Sequence, residues 1–165
     1  MAHPNLILVG VNHKTTPVEI RERLAFTKGK IEDSIERLVS FPEIIEHTIL
    51  STCNRVEIYA RAKSPDSGIE CIKKFICDFH GLSVSELEQH FYCFRDEEAV
   101  EHLFRVSSSL DSMVLGEAQI LGQVKEAYSL ARTLHSTGLV LNQLFEKAFK
   151  VAKKVREETG IAERS

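Results

Sequence analysis

The chain has 165 residues, of which 43% are hydrophobic and 27% charged, as in ordinary folded domains. Its formal net charge of −3 argues against a protein coated with basic surface for non-specific nucleic-acid binding. No apolar run approaches the roughly 20 residues of a membrane span, and no leader-like segment opens the sequence. We therefore expect a cytoplasmic protein with no membrane partner.

The first part of the chain alternates strand and helix patterns. Residues 6–11 are almost continuously apolar, as in a buried strand, and the apolar positions of 31–39 share one helix face. Residues 48–50 and 56–60 predict two strands joined by a tight polar connection. In the second of them Val56, Ile58 and Ala60 alternate with polar residues, which predicts a half-buried strand.

A second helix and a last strand complete this pattern. Apolar positions of 69–79 predict the helix, and the aromatic-rich residues 91–95 predict the strand. The order strand, helix, strand, strand, helix, strand is typical of an α+β, ferredoxin-like βαββαβ fold with an antiparallel sheet and helices on one face. Residues 1–95 are thus predicted to form one subdomain, and helical patterns over 96–165 predict a helical subdomain after it.

Cysteine usage singles out one thiol. The sequence has four cysteines and no C-x-x-C or His-Glu-x-x-His pattern, so we expect no metal site. Cys71, Cys77 and Cys93 lie in apolar helix and strand patterns and are predicted to be small buried hydrophobes. Cys53 lies at a strand end beside Arg55, whose guanidinium would favour a reactive thiolate. From spacing alone, a turn cysteine without chemical function is the more frequent outcome.

Two further patterns have both a structural and a functional interpretation. His102, on the helix after the last strand, is either a structural histidine or an acid, base or hydrogen-bond partner of a substrate. In 115–125, Gly116 and Gly122 bracket polar residues at a helix start. That segment is either a plain helix N-terminus or one wall of a pocket for a small charged ligand.

Three longer segments together carry a family resemblance. They read GVNHKTTPVEIRE over 10–22, LSTCNRVE over 50–57 and LDSMVLGEAQILGQVK over 110–125. In this order and spacing they closely resemble the N-terminal catalytic domain of glutamyl-tRNA reductase, over nearly the whole chain. The chain has Ala118 where the family commonly has proline.

The resemblance implies a reaction and a set of residues. The family uses NADPH to convert glutamyl-tRNA(Glu) into glutamate-1-semialdehyde for tetrapyrrole synthesis. Cys53 would be the nucleophile that forms a glutamyl thioester, with His102 assisting. Arg55 would pair with the side-chain carboxylate of the substrate, and Glu117 with its α-ammonium group. The implied pocket residues are Thr52, Asn54, Arg55, Ser112, Glu117, Ala118, Gln119 and Gln123.

The resemblance also implies parts that this sequence lacks. The family continues into an NADPH-binding domain and a dimerisation domain, and it associates with an aminomutase. This sequence has no dinucleotide-binding fingerprint, so we expect acyl transfer but no NADPH binding or reduction, and a monomer rather than the family's homodimer. Two alternatives stay open, an RNA-binding module that stacks bases on strand aromatics and a docking fragment for a partner or feedback ligand.

Overall fold

The computed structural model describes residues 5–112 and 119–159. Its elements, in chain order, are β1 (Leu6–Asn12), α1 (Val18–Leu24), α2 (Ile31–Val39), β2 (Ile44–Ser51), β3 (Arg55–Ala62), α3 (Pro65–Phe79), α4 (Val84–Leu87), a 3-10 turn (Glu88–His90), β4 (Tyr92–Arg95), α5 (Asp96–Ser107), α6 (Gln119–Thr133) and α7 (Leu139–Thr159). No helix within these two described ranges is long and apolar enough to cross a membrane.

The four strands form one sheet in the order β2-β3-β1-β4, and every neighbouring pair is antiparallel. In the centre, Val9 of β1 lies opposite Ile58 of β3 on one side and Cys93 of β4 on the other. The two β-α-β crossovers therefore interleave, which is the ferredoxin-like arrangement. The predicted α+β fold class is confirmed.

Both faces of the sheet are covered. On one face, Ile7 packs in a cluster with Leu38 of α2 and Ile72 of α3. On the other face, Leu8 packs in a cluster with Leu103 of α5 and Phe145 of α7. Each such fully buried side chain contributes roughly 1.5–3 kcal/mol. The helices that follow residue 95 thus cover the second face of the sheet.

Strand β2 is longer than predicted and reaches back to Ile44. Glu46 Oε1 accepts the backbone N–H of Gly138 at 2.6 Å and that of Leu141 at 2.9 Å, at the start of α7. The backbone N–H of His47 donates to the carbonyl of Ser136 at 2.8 Å. The turn between α6 and α7 therefore covers the outer edge of β2. The prediction that this strand begins at residue 48 is wrong because Glu46 and His47 are both buried within the strand, the Glu46 side chain against that turn.

Candidate active site

Cys53 lies at the tip of the tight connection between β2 and β3. Thr52 Oγ1 accepts the backbone N–H groups of Asn54 and Arg55, each at 3.2 Å, and the N–H of Thr52 donates to the carbonyl of Arg55 at 2.8 Å. These bonds fix the turn, and the Cys53 side chain is exposed at its tip. An exposed thiol on a fixed turn is accessible to a large substrate.

The other cysteines lie in environments that disfavour a thiolate. Burial raises the pKa of Cys71 and of Cys93, and it raises the pKa of Cys77 to about 11. Cys71 and Cys93 are partly buried against the core formed with α3, and Cys77 is fully buried there. Of the four, only Cys53 is exposed.

The Cys53 turn forms one side of a small cleft, which we name the thiol cleft. Its described lining residues come from the turn on one side and from the two ends of the segment 112–123 on the other. They are Thr52, Cys53, Asn54, Arg55, Ser112, Gln119, Ile120 and Gln123. The structure thus brings together all the described residues of the implied substrate pocket. Glu117 and Ala118 lie outside the described residues.

Arg55 lines this cleft, yet its guanidinium is 1% exposed and has internal partners. Nη1 and Nη2 each donate to Asp111 Oδ2 at 3.2 Å, and Nη2 also donates to the carbonyl of Asp111 at 2.6 Å. Nη1 donates in addition to Glu57 at 3.1 Å. A buried guanidinium needs such partners. In this structure the Arg55 guanidinium, which was expected to bind the substrate carboxylate, binds Asp111 instead.

Glu57 is the centre of a buried polar cluster that the sequence did not reveal. Its carboxylate, 0% exposed, accepts hydrogen bonds from Arg55 at 3.1 Å, from the Tyr59 hydroxyl at 2.8 Å, from His102 Nε2 at 2.6 Å and from the Tyr92 hydroxyl. Burial opposes its ionisation, but the hydrogen bond and charge of His102, together with Arg55 and Tyr92, outweigh burial and lower the pKa to about 2. Glu57 is therefore ionised at neutral pH.

The prediction that β3 is half-buried is wrong, because both of its faces are buried. Arg55, Glu57 and Tyr59 were expected on an exposed face, but all three are buried. Tyr59 packs in the cluster with α5–α7, Glu57 pairs with His102 of α5, and Arg55 pairs with Asp111. Burial and the neighbouring charge of Glu57 raise the pKa of Tyr59 well above its usual value, so its hydroxyl stays protonated and donates. These polar side chains tolerate burial because they pair with each other.

His102 belongs to the Glu57 cluster rather than to the thiol cleft. Its ring packs against Tyr92 and Phe94, with centroid distances of 5.6 and 5.1 Å. It lines a separate cavity of about 270 Å³, to which Asp111 also contributes. Arg55 lines the thiol cleft and Asp111 lines this cavity, so the ion pair of Arg55 and Asp111 separates the thiol cleft from the cavity beside His102. His102 is connected to the thiol cleft through Glu57 and Arg55.

The segment 10–22 joins the same site from a third direction. The backbone N–H of His13 donates to the carbonyl of Asn54 at 3.0 Å, and Lys14 Nζ lies 3.2 Å from Asp111 Oδ1. Burial would raise the pKa of Asp111, but the charges of Arg55 and His102 and the hydrogen bond from Lys14 hold it below its usual value. Residues from all three segments that carry the family resemblance therefore meet around Cys53.

The described residues offer neither a metal site nor a dinucleotide site. No group of three or more His, Cys, Asp or Glu within 5–112 and 119–159 is arranged to hold a metal ion. The sheet is antiparallel throughout, whereas a dinucleotide fold needs parallel βαβ units, and the sequence contains no G-x-G-x-x-G. The residues within 5–112 and 119–159 do not fit NADPH.

Fold and site together define a ferredoxin-like α+β domain that presents one exposed thiol in a polar cleft. Residues 9–159 match the family model described as glutamyl-tRNAGlu reductase, N-terminal domain. The chain is 51% identical over 158 residues to the glutamyl-tRNA reductase of Geotalea uraniireducens, and 52% identical over 158 residues to that of Pelobacter propionicus. Each match covers 96% of this chain and 36% of the relative.

A solved structure has the same fold. The chain superposes on the glutamyl-tRNA reductase of Methanopyrus kandleri with a TM-score of 0.78 and 34% sequence identity, over 93% of this chain and 35% of that one. The chain belongs to the family of glutamyl-tRNA reductase N-terminal domains. It spans about a third of the length of these relatives.

Proposed function

We propose that this chain is the acyl-transfer domain of a glutamyl-tRNA reductase and that Cys53 is its nucleophile. The name of the relatives supplies the substrate, glutamyl-tRNA. The observation that carries the proposal is the position of Cys53, an exposed thiol at the tip of a fixed turn, in a cleft whose other side comes from the family segment 110–125. A thiolate attacks an ester carbonyl without a strong external base.

The proposed step exchanges an oxygen ester for a thioester. The thiol of Cys53 loses its proton, and its sulfur forms a bond to the carbonyl carbon of the glutamyl group. The bond from that carbon to the ribose oxygen breaks, the oxygen takes up a proton, and tRNA leaves with a free hydroxyl. The product is a glutamyl thioester on Cys53, and no electron is gained or lost overall.

The polar lining of the thiol cleft would hold the glutamyl group. Side-chain amides and hydroxyls offer both donors and acceptors to a substrate that carries a carboxylate and an ammonium group. The residues proposed for this role are Thr52, Asn54, Ser112, Gln119 and Gln123. Glu117, as the partner of the ammonium group, and Ala118 complete the proposed pocket.

Arg55 and His102 receive positioning roles in this proposal. Arg55 ties the Cys53 turn to Asp111, so it keeps the two sides of the thiol cleft together. His102 donates to Glu57, which in turn accepts from Arg55, so His102 fixes the orientation of that guanidinium. Neither role requires direct contact with the substrate.

The reduction by NADPH is assigned to no residue of this chain. The domain proposed here ends its part of the reaction at the thioester, which water then hydrolyses slowly. Dimerisation and association with an aminomutase, which the family resemblance implies, are likewise proposals about the whole protein, and we assign no surface to them.

The environments of two strand tyrosines argue against a base-stacking RNA module. Tyr59 is fully buried in the core between the sheet and α7, where its ring contacts Phe145 edge-on at 5.7 Å. Tyr92 donates its hydroxyl to the buried Glu57. Stacking of bases on a sheet needs exposed aromatic faces, which the fully buried Tyr59 does not provide.

Release of tRNA from its ester tests the proposal. The chain is mixed with glutamyl-tRNA labelled in the glutamate, without NADPH, and the label that stays attached to tRNA is followed in time. Wild type and Cys71→Ser, the matched control, should deplete the ester, whereas Cys53→Ser should leave it intact. Equal depletion by Cys53→Ser would contradict the assignment of Cys53 as the nucleophile.

A further inference from the structure

We infer that a groove beside the thiol cleft binds the terminal adenosine of the tRNA, and this inference rests on the proposed function. The groove, which we name the α6 groove, has a volume of about 260 Å³ and lies between α6, the end of β2 and residues 26–31. Its lining residues are Phe26, Lys28, Ile31, Ile49, Leu50, Ser51, Gln123, Glu126, Ala127 and Leu130.

The α6 groove is continuous with the thiol cleft. Gln123 lines both, and Ser51 of the groove directly precedes Thr52 of the cleft. A larger cavity of about 360 Å³, between α5 and α7, shares no described residue with the cleft. The cavity beside His102 is separated from the cleft by the ion pair of Arg55 and Asp111, whereas the α6 groove shares Gln123 with the cleft and extends it along α6.

One face of α6 runs through both spaces. Gln119 and Gln123 face the thiol cleft, and Glu126, Ala127 and Leu130 continue the same face into the groove at intervals of three and four residues. The rise from Gln123 to Leu130 is roughly 10 Å at 1.5 Å per residue. A substrate lying along this face would place one end at Cys53 and the next chemical unit in the groove.

The geometry of the substrate determines what that next unit is. The ester oxygen that leaves from Cys53 belongs to the ribose of the last nucleotide, which in every tRNA is adenosine. When the glutamyl group enters the cleft, the attached nucleoside must lie within one ribose of the thiol. The adjoining groove is close to the lower size limit of small-ligand sites, about 300 Å³.

The lining of the groove suits a purine nucleoside. Ile31, Ala127 and Leu130 present partly buried apolar surface beside the buried Ile49 and Leu50, and an apolar lining of this kind can hold a flat base. Lys28, exposed at the rim, provides a cation for the phosphate on the 5′ side of the nucleoside.

The walls of the groove are fixed in place. The Ser51 hydroxyl accepts the backbone N–H of Phe26 at 2.9 Å, which holds the segment before α2 against the end of β2. The groove is therefore preformed, which reduces the entropy lost when a ligand binds.

A series of three esters tests the inference. The rate constant for acylation of Cys53, followed by intact-protein mass, is measured with glutamyl-tRNA, with 3′-O-glutamyl adenosine and with glutamate α-ethyl ester. Wild type should react at least tenfold faster with the adenosine ester than with the ethyl ester, after correction for the intrinsic reactivity of each ester towards a free thiol. Equal corrected rates would overturn the inference. Failure of every ester to acylate Cys53 would instead overturn the proposed function.

A matched pair of variants locates the effect. Ala127→Trp fills the groove and should bring the ratio of the adenosine-ester rate to the ethyl-ester rate close to one. Ser129→Trp adds the same side chain at an exposed position of α6 outside the groove and should keep the wild-type ratio. A wild-type ratio in Ala127→Trp would overturn the inference. Lys28→Ala, at an exposed site, should slow the reaction of glutamyl-tRNA but not that of the ethyl ester.

Discussion

His47 is expected to make the fold sensitive to mild acid. Its side chain lies in β2, is 1% exposed, and burial lowers its pKa to about 4 although a hydrogen bond to the backbone of Ile35 opposes the shift. Nε2 has no hydrogen-bond partner among the described residues. The folded state therefore holds a neutral imidazole, and a proton can be bound more easily after unfolding.

The sign and size of the effect follow from the two pKa values. The unfolded value is 6.5 and the folded value about 4, so the stability contributed by the neutral ring is present above pH 6.5 and is lost as the pH falls through 4. At 1.36 kcal/mol per pKa unit, the full difference corresponds to about 3.4 kcal/mol. Between pH 7 and 4.5, about 2.4 kcal/mol of this should be lost.

Urea unfolding followed by circular dichroism at pH 7 and 4.5 measures this loss. The comparison variant is His47→Asn, whose amide also donates a hydrogen bond but does not titrate. Wild type should lose about 2.4 kcal/mol more than the variant between the two pH values. Equal losses in the two proteins would refute the reasoning, because they would mean that His47 is protonated in the folded state.

Four more substitutions, the last two of them a matched pair, have defined outcomes. Glu57→Gln should lower the free energy of unfolding by about 3 kcal/mol, as measured by urea unfolding at pH 7. The variant should also lack the decrease in stability that wild type shows between pH 4.5 and 2. The same decrease in both proteins would contradict this. Asp111→Asn should slow acylation of Cys53 at least tenfold with little change in circular dichroism, because Arg55 keeps Glu57 but loses the ionised partner that ties it to the far side of the thiol cleft. A wild-type rate would show that the pair does not position the turn. Gly68→Ala should lower the thermal midpoint, since the added Cβ would lie 2.5 Å from that of Ala62. The matched change Gly122→Ala, with open space around it in α6, should stabilise by about 1 kcal/mol, and the same sign for both glycine changes would contradict the packing argument.

The sheet topology could be predicted because local patterns determine it. The apolar run of β1 and the alternation in β3 are visible in the sequence, and the order of elements then indicates the fold. Strand β2 was only partly recognised, since Glu46 and His47 interrupt its apolar pattern. The Glu46 side chain and the His47 backbone pair with residues some 90 positions further along the chain, around the start of α7, and spacing does not reveal such pairs.

The site was predictable only where a local signal existed. The position of Cys53 at a strand end, with Arg55 two residues on, marked it among the cysteines, but the remaining residues of the thiol cleft came from the family resemblance. Glu57 looked like an exposed strand residue because its partners, among them His102, are separated by up to 45 residues. The helices that bury it cover the second face of the sheet, and the alternation in β3 gave no sign of that cover.

The central claim is that Cys53 accepts the glutamyl group, and intact-protein mass spectrometry tests it most directly. The chain is mixed with glutamyl-tRNA without NADPH, quenched in acid and weighed, and the adduct is mapped by proteolysis. We expect a gain of one glutamyl group on Cys53 in wild type and in Cys71→Ser, and no gain in Cys53→Ser. A glutamyl adduct on another residue, or no adduct together with intact glutamyl-tRNA, would contradict the account.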